Sequence, residues 1–278
     1  MQFGIKTPPQ HCTWNDMLDI WRATDEVDVF DSCWNFDHFY PLVGEQTGPC
    51  MEAWTTLTAL ATSTRRVRIG CMVHGTPYRH PAVTANMAAS LDIISNGRLN
   101  LGLGAGWHAD ECAAYGLDLL PLKQRMDRFE EYVQVVRSLL GNETTFFDGA
   151  YYQIDNARCE PKGPQPGGPP IVIGGGGEKR TLNIAARFAD HWNLSFATPE
   201  QFKHKHDVLL QHCETVGRDP AEIECSVQIA LPPDEAPQQS AAKAAALGEA
   251  GVDTVIFTLR VPYRTAVIEP LGRALAEI

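Results

Sequence analysis

No C-x-x-C pair occurs among the eight cysteines; the two nearest in sequence, Cys213 and Cys225, are 225 − 213 = 12 positions apart. That spacing excludes a zinc knuckle and a thioredoxin-like motif. A disulfide scaffold is not expected in a chain with this much core, so the cysteines read as reduced, mostly buried thiols of a cytoplasmic protein. No run of eighteen apolar residues exists, so no membrane span is expected, and Met1–Lys6 lacks the basic and apolar regions of a signal peptide. Basic charge is scarce. Lys and Arg number 23 against 34 Asp and Glu, a net charge of −11, which argues against nucleic acid and against an anionic membrane as partners. No G-x-S-x-G nucleophile motif occurs. The end of the first apolar run reads Gly4-Ile5-Lys6-Thr7-Pro8, without the His-x-His expected of a metal-dependent barrel hydrolase. There is no low-complexity tract and no short internal repeat.

What is present is alternation. Short apolar runs begin at Gln2, Ser32, Val67, Leu99, Ile171, His191, Glu224 and Thr254, and amphipathic stretches of helical spacing follow them. The helical stretches include Trp14–Val27, Leu122–Leu140 and Pro199–Val216, and the turn Ser95-Asn96-Gly97-Arg98 closes the one before Leu99. Strands that alternate with helices pair in parallel, because each crossover carries a helix. Eight such units predict a (β/α)8 TIM barrel, with an open doubly wound sheet as the rival. All 278 residues form one domain in this reading. A hairpin over Thr144–Ile154, turning at Asp148-Gly149, and a Pro- and Gly-rich loop over Pro161–Pro170 form an inserted segment, about 141–169, placed near the barrel mouth.

Barrel enzymes work at the C-terminal ends of their strands, so the residues just after each strand carry the functional reading. After the fifth strand come Gly174, Gly175, Gly176 and Gly177, then Glu178, Lys179 and Arg180. Glycine allows close backbone approach, and a helix start offers free N–H groups to an anion. Two readings stand: a phosphate cradle helped by Lys179 and Arg180, and a flexible turn. After the second strand come Asp37 and His38, where the histidine is a candidate base or hydrogen-bond donor. Neighbours on a strand face opposite ways, so direct pairing of the two is not assured. Gly102, Gly104 and Gly106 have G-x-G-x-G spacing, not the dinucleotide fingerprint, and let backbone approach a flat ligand or a neighbouring strand. His74 and His80 stand where they can line a mouth. His108 and Glu111 flank a pocket or serve only a helix start. His204, His206 and His212 read as a solvated helix face rather than a metal site.

Together these pieces resemble a known family. The landmarks are Asp37-His38-Phe39, Tyr78-Arg79-His80-Pro81-Ala82, Leu91-Asp-Ile-Ile-Ser-Asn-Gly-Arg98, Gly102-Leu-Gly-Ala-Gly-Trp107, Tyr115-Gly116 and Pro170-Ile-Val-Ile-Gly-Gly-Gly-Gly177. In this order they resemble the luciferase-like monooxygenase superfamily, in its branch of oxidoreductases dependent on the deazaflavin coenzyme F420. The resemblance implies a barrel that holds the deazaflavin ring in its mouth and transfers a hydride to or from a small organic substrate. It implies that Asp37 and His38 touch the reacting part of the ring, with His38 as acid/base candidate assisted by Asp37. It implies a non-proline cis peptide at Met72–Val73 backing the ring. It also implies Gly104, Gly106 and Trp107 beside the cofactor, and Gly174–Gly177 with Glu178 on its phosphate. A homodimer is implied as well. One departure stands out: relatives that oxidise a sugar phosphate have a glutamate where this chain has Trp107, and tryptophan cannot act as an acid. Two other readings remain: an FMN-dependent monooxygenase of the same superfamily, and a cofactor-binding barrel with little catalysis.

Overall fold

The computed structural model describes residues 1–278. The elements are β1 (Gln2–Lys6), α1 (Trp14–Asp25), β2 (Ser32–Asn35), α2 (Ala53–Ser63), β3 (Arg68–Cys71), β4 (His74–Gly75), α3 (Pro81–Ile94), β5 (Leu99–Gly104), α4 (Ala109–Ala114) and α5 (Leu122–Gly141). There follow β6 (Thr145–Asp148), β7 (Gln153–Ala157), β8 (Ile171–Gly174), α6 (Thr181–Phe188), β9 (His191–Ser195), α7 (Pro199–Val216), β10 (Glu224–Leu231), α8 (Pro237–Glu249), β11 (Thr254–Leu259) and α9 (Ile268–Leu275). Local chemistry sets many of the ends. A capping box of Thr13 and Asp16 opens α1, one of Thr198 and Gln201 opens α7, and Pro199 occupies the first turn of α7. Gly217, at φ +70°, ends α7 in the left-handed conformation that a C-terminal cap requires.

The main sheet has nine strands in the order β3-β2-β1-β11-β10-β9-β8-β5-β4, all parallel, and an extra β3–β5 pairing closes it. β3 and β4 are two halves of one stave, so the closed structure is an eight-staved (β/α)8 barrel and the open sheet is excluded. The third strand, whose apolar run begins at Val67, breaks at Met72–Val73, whose peptide bond is cis; pairing resumes at His74. Side chains alternate in and out along each stave. The outward ones join the shell helices in one large core, with Trp21, Phe129, Trp192 and Phe257 among its largest members. Inside the barrel, Trp34, Met72, Val172 and Ile256 form a small separate apolar plug. Trp34 fits because its neighbours lack side chains: a Cβ on Gly70 would stand 2.3 Å from the indole.

The insert packs beside the mouth rather than over it: the Tyr152 ring stands 5.3 Å from that of His80, which caps α3 at the C-terminal end of the strands. The hairpin β6–β7 lies on the outer side of α5, where Glu131 accepts from the backbone N–H groups of Ala150, Tyr151 and Tyr152. Gln165, in the following loop, bonds Asp92, Arg68 and the Leu99 carbonyl at the opposite end of the barrel. The mouth is bordered instead by the loop after β2 and by the segment between β5 and α5. That second segment contains α4, the helix start that His108 and Glu111 serve: His108 caps it, with Nδ1 accepting from Glu111 N–H at 3.2 Å.

Candidate active site

A cavity of about 480 Å³ opens at the C-terminal ends of the strands. Its walls include Asp37, His38, Met72, Val73, Gly104, Gly106, Trp107, Gly174 and Gly175. Nine of the residues singled out in the sequence therefore meet at one place. Gly176, Gly177 and Glu178 lie outside that lining, on the rim that follows Gly175. Larger depressions elsewhere are not at this end of the strands.

On the β2 side the charged groups are all engaged, while the Nε2 atoms of His38 and His74 have no partner. His38 Nδ1 lies 2.9 Å from Glu111 Oε2, and its ring packs edge-on against Phe36, Trp107 and Tyr78. Glu111 is buried and also accepts from Tyr78 Oη–H and from the N–H groups of Phe39 and Tyr40. Burial pushes this carboxyl up, but the hydrogen bonds from His38, Tyr78 and Phe39 outweigh it and hold it at about 2. Asp37 makes no hydrogen bond to His38. Its carboxylate accepts from Arg79 at 2.6 and 3.2 Å, from Gly75 N–H, and faces His74 Nδ1 at 3.4 Å. Burial raises the Asp37 carboxyl, while His74 and Arg79 lower it further, to about 2. The assistance expected of Asp37 thus has no direct path, because consecutive side chains diverge; the carboxylate at His38 comes from Glu111, 73 residues away.

The floor is formed by Val73, which fills the space beside two glycines. A Cβ on Gly104 would stand 2.5 Å, and one on Gly174 2.9 Å, from its side chain. For Gly104 the approach of a neighbouring strand is therefore the physical requirement. Beside the floor, Lys6 donates to the Met72 carbonyl at 3.2 Å and to Gln228 Oε1 at 2.6 Å. Burial brings this amine down to about 8. Trp107 stands at the rim, 61% exposed, its ring 5.5 Å from that of His38.

On the β8 side the donors are free. Gly175 has φ +120°, which glycine tolerates, and the N–H groups of Gly176, Gly177 and Glu178 bond no protein acceptor. α6 starts at Thr181, after a turn over 178–180. Arg180 does not face the cradle; it pairs with Asp127 and Glu130. The Glu178 carboxylate turns outward to Lys205 at 2.6 Å and His204 at 3.0 Å. His206 stacks on Phe202, and His212 bonds the Glu178 carbonyl. Arg125 of α5, which sequence reasoning passed over, lines the cavity, and its buried Nε has no partner. An unpaired guanidinium in the cavity and unpaired N–H groups on its rim suit an anion such as a phosphate.

Comparison with known proteins places this geometry. A model of the family described as luciferase-like monooxygenase matches residues 1–269. An F420-dependent glucose-6-phosphate dehydrogenase of Amycolatopsis mediterranei is 32% identical over 179 residues, covering 64% of this chain and 52% of that protein. The chain thus spans about half the length of that relative. The solved structure of an F420-dependent secondary alcohol dehydrogenase with an F420-acetone adduct superposes with a TM-score of 0.89, at 20% identity, over 99% of this chain and 98% of the other. A riboflavin lyase solved with modified FMN and riboflavin superposes with a TM-score of 0.82, at 15% identity, over 100% and 91%. At those identities the structural likenesses speak to the fold.

Proposed function

The chain belongs to the luciferase-like monooxygenase family, and from that premise we propose that it is an oxidoreductase that uses coenzyme F420 to move a hydride to or from a small organic substrate. The observation that carries the proposal is the opposition of two walls in one cavity. His38, held and with Nε2 unpartnered, faces the space from one side; Arg125 lines it on the other, and the free N–H groups of Gly176, Gly177 and Glu178 stand on the rim that follows Gly175. Those donors, with the space above Val73, fit a flat ring that carries a phosphate.

Bound there, the deazaflavin would supply the hydride chemistry. Every other task belongs to the chain. Met72 and Val73 back the ring, with Gly104 and Gly106 beside it. Arg125, Gly175, Gly176 and Gly177 hold the phosphate, and Glu178 adds only its N–H. Trp107 and Phe36 narrow the opening and exclude water. His38 takes or gives a proton at Nε2. Asp37 keeps Arg79 and His74 in place beneath it.

The preference for F420 rests on the F420-dependent relative and on the likeness to the F420-dependent alcohol dehydrogenase. The likeness to an FMN-bearing structure supports a second reading, an FMN-dependent monooxygenase. Fluorescence titration of the purified protein with F420 and, in parallel, FMN tests the two. The expected result is tight F420 binding with FMN at least tenfold weaker. Tighter FMN binding with substrate-dependent oxygen uptake would replace the first reading with the second. We also propose that a second copy of the chain covers the apolar row on α3 formed by the exposed Val83 and Ile94 and the half-buried Met87. Light scattering that shows only a 30.6 kDa particle would overturn that.

A further inference from the structure

Glu111 does not line the cavity, yet four groups converge on it. Its Oε1 accepts from Phe39 N–H and from Tyr40 N–H, the latter at 3.0 Å. Its Oε2 accepts from Tyr78 Oη–H and lies 2.9 Å from His38 Nδ1. Burial opposes ionisation here, but these donors prevail and keep the carboxyl at about 2. It is ionised across the working pH range and has no proton to give. It therefore does not stand in for the acid missing at Trp107.

We infer that Glu111 is the positioning residue that sets the tautomer of His38. An ionised carboxylate only accepts, so the ring nitrogen facing it must be the donor. The neutral ring then carries its proton on Nδ1 and turns an unprotonated Nε2 to the cavity. When Nε2 takes a proton from the reacting groups, the carboxylate balances the charge of the imidazolium. The four donors leave Glu111 no alternative orientation, so ring angle and tautomer are set before any ligand binds. The catalytic consequence rests on the reading of His38 as acid/base; the tautomer itself does not.

Glu111→Gln tests the inference, because an amide offers one acceptor atom in place of two. The amide oxygen is retained by the Phe39 and Tyr40 N–H groups, which have no other partner. The amide NH2 then faces His38 Nδ1, which must become an acceptor, and the ring proton moves to Nε2. Ring-nitrogen NMR of ¹⁵N-histidine-labelled, cofactor-free protein reads this directly. The expected wild-type signal is the Nδ1–H form; the expected Glu111→Gln signal is the Nε2–H form. In turnover, kcat is expected to fall on the order of 10²–10⁴-fold, as when a histidine base is held in the wrong tautomer, with KM and cofactor Kd within about threefold. Glu111→Asp, still a pure acceptor, is expected to keep the Nδ1–H form and regain part of the rate. A wild-type Nε2–H signal, which needs no variant to fold, overturns the inference. So does an unchanged tautomer in folded Glu111→Gln. If the tautomers behave as expected while His38→Ala turns over normally, the inference about Glu111 stands and the catalytic reading of His38 fails.

Discussion

The two walls of the cavity differ in how their polar groups are satisfied. On the β2 side, His38 and Tyr78 are held on Glu111, and Arg79 is held between Asp37 and Glu52, so that every charged member of these two groups has a partner inside the protein. On the β8 side, three successive N–H groups and a guanidinium nitrogen have none. The three N–H groups belong to half-buried or exposed residues, open to a ligand, whereas the Arg125 Nε is buried, and an unpaired buried donor is costly. The closed wall is thus built for chemistry that needs fixed geometry before ligand arrives. The open wall is built to be completed by the ligand. One wall governs rate and the other affinity, and substitutions should separate them.

The largest expected effect is on the closed wall. His38→Ala removes the group that handles the proton, and kcat is expected to drop by about 10²–10⁴-fold, with cofactor Kd within threefold. Stopped-flow absorbance of the bound cofactor, read beside a binding titration, checks both numbers. A variant that loses affinity and keeps its rate would erase the division between the walls. Next comes Asp37→Asn, whose effect is on stability. The folded carboxyl titrates at about 2 against an unfolded value of 3.8, so its contribution is complete above pH ~4 and disappears as pH falls through 2. Two pKa units correspond to roughly 2–3 kcal/mol. Urea unfolding at pH 7 should show Asp37→Asn less stable by about that amount, and the gap should close towards pH 2. A gap that is constant with pH would mean the Asp37 charge is not what stabilises the wall.

The difference between the walls also separates what the sequence discloses from what it hides. The barrel is legible because eight apolar runs alternate with helical periodicity, and that pattern is local. The glycine run and Asp37-His38 are legible because the barrel puts strand ends at one mouth. Glu111 reads equally well as an ordinary first-turn acid of a helix; only the fold carries it across 73 residues to His38. Arg125 sits among the charges of an amphipathic helix, where a guanidinium is usually solvated. Arg180 looks like part of the cradle because it follows the glycines, but two extra turn residues rotate it towards Asp127. Each miss is a contact between elements distant in sequence, which neither periodicity nor spacing encodes.

Arg125 offers the smallest expected effect and the sharpest contrast. Its Nε is buried without a partner and no carboxylate bonds the guanidinium, so in the ligand-free protein it contributes desolvation cost and no compensating bond. Arg125→Met keeps the apolar stem and removes that cost. Thermal unfolding of the cofactor-free variant should therefore occur at or above the wild-type temperature, the reverse of Asp37→Asn. Affinity should move the other way. One lost charge-assisted hydrogen bond to a phosphate corresponds to roughly tenfold in Kd, and the loss should shrink as salt screens the wild-type interaction. Turnover at saturating cofactor should stay within threefold of wild type. A variant that is both less stable and normal in affinity would show Arg125 to be a packing residue. The open wall would then consist of the glycine N–H groups alone.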